Sequence, residues 1–328
     1  YSQANKPADG SPYGGGPGAE HNYATGLLHY YYLTGDREAR AAVLGLADWV
    51  IAMDDGAGTV LDVLDDGPTG LASATDSPDY HGPGRGSANS IGVLLDGWLA
   101  SGDRKYLDKA EELIRRTIHP HDDLEGRNLL DVEARWSYTM HLAAVARYLE
   151  IKIEQSELDF MVAYGRESLL HYARWMLDNE RPYFDHPEDL EYPTEAWAAQ
   201  EFRKANALRL AARWADEPLR TGLLARGQEL ADRAWADLLR FESRGVARAV
   251  AVMMVEGPRD CYYRVGREAP APKPAGEHAF GRPEPFTPQR SRVLARWKTP
   301  GGLLQTARRL ANPRHWATIV RRLRSARN

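Results

Sequence analysis

Leu33-Thr34-Gly35-Asp36-Arg37-Glu38-Ala39 and Ala100-Ser101-Gly102-Asp103-Arg104-Lys105-Tyr106 are the same turn written twice, 67 residues apart. Each has a small hydroxyl residue, then a glycine free to take positive φ at the end of one helix, then an aspartate suited to cap the next. The flanks have helical periodicity, so each turn predicts a helical hairpin, 20–33 with 37–53 and 86–100 with 104–118. A recurrence of this length marks a hairpin repeat. Working outward, a third pair falls at 131–151 and 156–179, and a fourth at 194–215 and 218–242. Pro218 suits a first-turn position. The apolar stretch 246–256 continues the repeat as a helix. Residues 266–289, rich in proline, read as an irregular wrap, and two short basic helices at about 300–311 and 313–325 close the chain. The expected class is all-α. Residues 1–265 form the hairpin domain, and residues 266–328 the wrap and basic tail.

The connections between hairpins are long. Residues 54–85 are rich in Gly, Asp, Ser and Pro, with shorter counterparts at 119–130 and 180–193. Long loops in compact domains usually serve function, and hairpins set in a ring gather such loops at one end.

Composition sets outer bounds. Hydrophobic residues make up 43% and charged residues 27%, enough apolar material for a core. No run approaches the roughly 18 apolar residues of a membrane span. The single cysteine, Cys261, excludes an internal disulfide framework. Tyr1 is not a methionine, and an N-terminal part of the protein is expected to be missing. Residues 289–328 hold eleven Arg or Lys and no acid, which leaves a body of net charge −15. Such a tail is suited to dock on its own body or to meet an acidic partner. It is too short and scattered to argue for nucleic acid.

The two turns, each followed by an alanine-rich helix, resemble those of the six-hairpin glycosidase-like (α/α) toroids. Gly67-Pro68-Thr69-Gly70-Leu71 and Gly84-Arg85-Gly86-Ser87-Ala88-Asn89-Ser90 are similar to a loop and helix start of the unsaturated uronyl hydrolases. The likeness covers roughly residues 20–243. It implies a toroid or incomplete barrel of hairpins, acting on carbohydrate as a glycosidase or as a related polysaccharide lyase.

Four places hold residues suited to such chemistry. Asp79, Tyr80, His81 and Arg85 crowd one glycine-rich loop, with Asn89 on the helical turn beyond. There Arg85 is suited to pair with a carboxylate while His81 or Tyr80 exchanges a proton. The same stretch also reads as a capping loop with a surface histidine. His21 and Tyr23, beside Glu20 and after the glycines of 14–18, open the first helix. They either line a cleft mouth or serve as ordinary helix-start residues. Arg135, Tyr138 and His141 follow i, i+3, i+6 spacing on one expected helix face, pointing to a cavity or to a hydrogen-bonded core; neighbouring Trp136 reads as packing. Glu195, with Thr194 as N-cap, is either a catalytic carboxylate or a capping one, and Trp197 is a candidate sugar platform.

Glycoside hydrolysis needs two carboxyl groups; Glu195 can be matched with Asp79, Asp54 or Asp185, and Glu195 with Asp79 is taken as the pair. A lyase would instead use Arg85 and Asn89 to neutralise a uronate while His81, His21 or Tyr80 removes a proton. A non-catalytic glycan-binding scaffold is the third reading. His119-Pro120-His121-Asp122-Asp123 reads as a solvated turn rather than a cation site, so no metal and no cofactor is expected.

Overall fold

The computed structural model describes residues 18–243, 245–266 and 269–311. Every helix and strand assignment among them is helical, apart from one isolated β-bridge, Thr75 with Ser77. The α-helices are α1 Thr25–Thr34, α2 Arg37–Asp54, α3 Arg85–Ser101, α4 Arg104–Thr117, α5 Val132–Arg135 and α6 Tyr138–Glu154. They continue with α7 Phe160–Asn179, α8 Glu195–Ala212, α9 Leu219–Arg240, α10 Ala247–Val265, α11 Gln289–Trp297 and α12 Pro300–Leu310. None of these helices is long and apolar enough to cross a membrane. The expected helix at 313–325 lies outside the described residues.

The chain divides into two compact units. Among the described residues one comprises 18–81, 92–116 and 284–311, the other 82–91 and 117–283.

In the first unit the repeated turn builds the same local structure twice. Gly35 (φ 71°) donates its N–H to Tyr31 O at 2.8 Å, and Gly102 (φ 72°) donates to Trp98 O at 2.7 Å. Asp36 then accepts from the N–H groups of Glu38 and Ala39, and Asp103 accepts from that of Lys105. The two turns are tied together: Tyr32 donates its hydroxyl to Leu99 O at 3.1 Å, and Arg40 donates to Ala100 O at 2.9 Å. A side chain at Gly97 would meet Ala47 Cβ at 2.7 Å, so this glycine sets how closely α3 approaches α2.

The long loop after α2 is ordered by one buried carboxylate. Asp54, with no exposed surface, accepts from Arg116 through both oxygens (2.9 and 2.8 Å) and from Lys109 at 2.7 Å. The backbone of the Thr69-Gly70-Leu71 loop closes over it, with Gly70 N–H donating to Asp54 at 3.1 Å. Gly70 sits at φ 84°, and a Cβ there would strike His81 and Phe286. Burial alone would raise the Asp54 pKa, but the hydrogen bonds and charges of Arg116 and Lys109 outweigh it and hold it at about 2.

The described part of the basic tail docks within this unit. Arg292 and Arg296 both bind Asp65, at 2.8 and 2.6 Å, and Arg309 lies 3.6 Å from Asp66. Gln289 donates to the carbonyls of Gly56 and Asp65. Residues 289–297 form a helix, α11, in a stretch for which the sequence reading gives no element.

The second unit is built around α8, in which every residue but Arg203 and Leu210 is buried. Seven of its residues are alanine, and α9 comes close enough that a Cβ on Gly227 would meet Ala205 O at 2.9 Å. The expected single helix 131–151 is broken into α5 and α6. The break falls at Trp136-Ser137, where the Ser137 hydroxyl accepts from the Arg85 N–H at 3.0 Å. Arg135 and Tyr138 therefore stand on different helices rather than on one face. Helix α7 begins at Phe160 rather than 156, because Asp159 caps it by accepting from the N–H groups of Met161 and Val162. Helix α10 runs well beyond the expected 246–256. Residues 269–288, as expected, carry no helix.

Asp54 sets a first test. Its folded pKa lies below the usual 3.8, so its contribution is complete above about pH 4 and is lost as the pH falls through 2. Asp54→Asn should cost about 1–3 kcal/mol in urea unfolding at neutral pH, because Arg116 and Lys109 lose the buried carboxylate they share and keep only Glu112 as a counter-charge. That cost should shrink as the wild type is acidified.

Candidate functional site

The second unit contains a pocket of about 300 Å³ where α5, α6 and α8 meet the segment following α7. Trp136, Tyr138, Glu180, Tyr183 and Lys204 line it, with Asp178, His186 and Asp189 exposed at its rim. Local structure explains each placement. Tyr138 opens α6 just past the break, Glu180 is the residue on which α7 ends, and Lys204 projects from the middle of α8.

These groups form one network. Lys204 Nζ lies 2.9 Å from Glu180 Oε2 and 3.6 Å from Glu201 Oε1, donates to Arg181 O at 2.6 Å and sits 3.4 Å above the Tyr183 ring centre. Tyr138 donates its hydroxyl to Glu180 Oε1 at 2.5 Å. The Tyr183 N–H donates to Glu201 Oε2 at 2.8 Å. Burial works against the Lys204 charge, yet Glu180 and Glu201 more than compensate and push its pKa up. Burial, with the Glu180 charge beside it, drives the Tyr138 phenol well above its ordinary value. For Glu201 burial wins over Lys204 and the Tyr183 N–H, and its pKa rises to about 7. The network thus sets a charged lysine of the pocket wall against Glu180, with Glu201 behind the wall changing protonation near neutrality.

Trp136, read from sequence as packing, forms part of the pocket wall. Three guanidinium groups lie near its ring centre, those of Arg203 at 5.1 Å, Arg248 at 5.5 Å and Arg85 at 5.9 Å. Such spacing permits cation–π attraction from each and concentrates positive charge beside an aromatic face.

The other residues singled out from sequence are spread more widely. Trp197 is a core residue, 5% exposed and packed edge-on against Tyr183 at 5.0 Å, rather than an open platform. Arg135 ends α5, immediately before Trp136. Asn89 is buried in the first turns of α3. His141 is wholly buried between the hydroxyls of Ser87 (3.0 Å) and Thr117 (3.3 Å), and burial, with Arg127 adding, drops its pKa to about 3. It is a neutral core histidine. Glu195 begins α8 and faces a separate, apolar groove.

In the first unit, His81 bonds Ser73 Oγ at 3.0 Å and stands edge-on to Phe286. Burial first and Arg116 second lower its pKa. Asp79 is exposed and Tyr80 half-buried, its carbonyl accepting from the Thr75 N–H at 3.2 Å. His21 and Tyr23 are exposed. Glu195 and Asp79, the pair taken from sequence, belong to different units.

Sequence reading missed Glu180, Glu201 and Lys204. The available signal was the pair Glu201 and Lys204 inside an alanine-rich helix, where uncompensated charge is unexpected. Among the described residues no group of three or more His, Cys, Asp or Glu side chains is placed to hold a metal ion. No protein-family model, curated protein or solved structure matches this chain.

Glu201 gives this site a testable signature. Its folded pKa of about 7 exceeds the ordinary 4.5, so its contribution is complete below about pH 4.5 and is lost as the pH rises through 7. Wild-type stability relative to Glu201→Gln, measured by urea unfolding, should therefore fall by about 1–3 kcal/mol between pH 4.5 and pH 8. A difference that does not vary with pH would remove Glu201 from the titrating set.

Proposed function

We propose that this protein is a carbohydrate-active enzyme that cleaves the glycosidic bonds of an acidic saccharide in the Trp136 pocket, its hairpins arranged as an (α/α) toroid. The observation that carries the proposal is the meeting of an arginine-flanked indole with a hydrogen-bonded carboxylate. A pyranose ring stacks on an indole face through its C–H groups, and Arg85, Arg203 and Arg248 supply the charge that a uronate or sulfate needs. The volume is that of a small-ligand pocket.

Hydrolysis is the leading reaction. Glu180, held by Tyr138 and Lys204, is the carboxylate fixed in the pocket, and the rim aspartates Asp178 and Asp189 offer the second carboxyl group that hydrolysis requires. β-Elimination is the second reading, favoured by the arginines, which would neutralise a uronate.

Digestion of a panel of uronate-containing polysaccharides, followed by reducing-end assay and by ultraviolet absorbance, tests both. New reducing ends without absorbance from an unsaturated product are expected. Glu180→Gln should lower kcat by about 100-fold or more, and Trp136→Ala should chiefly raise KM. An absorbance rise transfers the assignment to the lyase. Binding without cleavage of any glycan in the panel contradicts both and leaves a glycan-binding scaffold.

A further inference from the structure

The described part of the basic tail buries polar residues and exposes apolar ones. In α11, Gln289 and Val293 are buried and Arg292 and Arg296 turn to Asp65. Arg290, Leu294, Trp297 and Lys298 share the other side of the helix and are exposed, Leu294 at 43% and Trp297 at 47%. Helix α12 carries the pattern further. Its inner side is Gly302, Thr306 and Arg309, at i, i+4, i+7 spacing: a Cβ on Gly302 would strike Arg296 O, and Arg309 lies 3.6 Å from Asp66. Its apolar side, Leu303, Leu304 and Ala307, is exposed, the two leucines at 52% and 55%. An amphipathic helix laid on a core buries its apolar face. This one turns that face to the outside.

Charge points to the kind of partner. Residues 289–328 hold eleven Arg or Lys and no acid. Arg292, Arg296 and Arg309 are turned to Asp65 and Asp66, whereas Arg290, Lys298 and Arg308 are exposed. The sequence beyond, 312–328, adds five arginines, and in it Trp316, Ile319, Val320 and Leu323 recur at i, i+3, i+4, i+7 spacing. A matching partner offers negative charge with an apolar phase directly beside it. Nucleic acid has the phosphates but would leave the leucines in water. A bilayer containing anionic lipid has both, headgroups for the cations and the Trp297 indole, and hydrocarbon just beneath for Leu303 and Leu304. The rest of the chain, at net charge −15, is repelled by the same surface, which confines contact to the tail.

We propose that residues 289–328 are a docking surface for an anionic membrane, on which the protein lies peripherally, its exposed leucines and Trp297 in the interface and its cations on the headgroups. The inference does not depend on the saccharide reading, since it uses other residues.

Flotation of the full chain with lipid vesicles tests it. Phosphatidylcholine vesicles containing phosphatidylserine should bind the chain at least about tenfold more tightly than phosphatidylcholine alone, and this binding should weaken as salt rises. Leu303→Ser combined with Leu304→Ser, at exposed positions where folding is little affected, should weaken it by about tenfold or more. Arg290→Gln combined with Lys298→Gln should narrow the difference between charged and neutral vesicles. Equal binding to both kinds of vesicle, flotation with neither, or binding that the leucine pair leaves unchanged overturns the proposal. So does tighter binding to a DNA duplex than to the charged vesicles, which makes the tail a nucleic-acid surface. Light scattering that shows copies associating through Leu303 and Leu304, to the exclusion of vesicles, overturns it as well.

Discussion

The second unit rests on a single constraint: α8 is buried nearly all round, yet it carries Glu195, Glu201, Lys204 and Arg209. Burying an unpaired charge costs more than a helix of this length gains from alanine packing, so each neighbouring element is obliged to bring a partner. Helix α7 delivers Glu180 to Lys204 at its last turn. Helix α10 delivers Asp260 to Arg209 at 2.7 Å and Glu256 to Asn206 at 2.8 Å. Helix α9 adds Gln228, which accepts from Arg209 at 3.0 Å. The helices around α8 are therefore held in register by charge matching as much as by apolar contact.

This constraint also explains why a reactive network sits where it does. Lys204 is anchored by two carboxylates, one carbonyl and one ring face, so the groups near it are held rather than floating. Preorganisation of that kind is what catalysis and tight binding both draw upon. Glu195, at the start of the same helix, differs from Lys204 and Arg209: among the described residues no donor reaches its Oε1. Helix α8 thus borders both the Trp136 pocket, through Lys204, and an apolar groove, through Glu195.

What could be read from sequence was what is local. Gly35 and Gly102 in the left-handed region, with Asp36 and Asp103 beyond them, are dictated within a handful of residues, and they gave the first two hairpins. The charge asymmetry of the tail was equally visible, and in its described part Arg292 and Arg296 bind Asp65. What could not be read is what depends on distant partners. The break at Ser137 requires the backbone of Arg85, and the Glu180 and Lys204 pair lies across a loop and a helix start. Trp136 packs against the Tyr183, Leu190 and Trp197 cluster, as its reading as packing has it, and also lines the pocket, whereas Trp197 is a core residue rather than a platform.

Native-state hydrogen exchange along α8 tests the account most directly. If the helix is enclosed and pinned by its paired charges, amides in its centre should exchange more slowly than those of exposed α1 and only with unfolding of the whole unit. Central α8 amides that exchange as fast as those of α1 would contradict it.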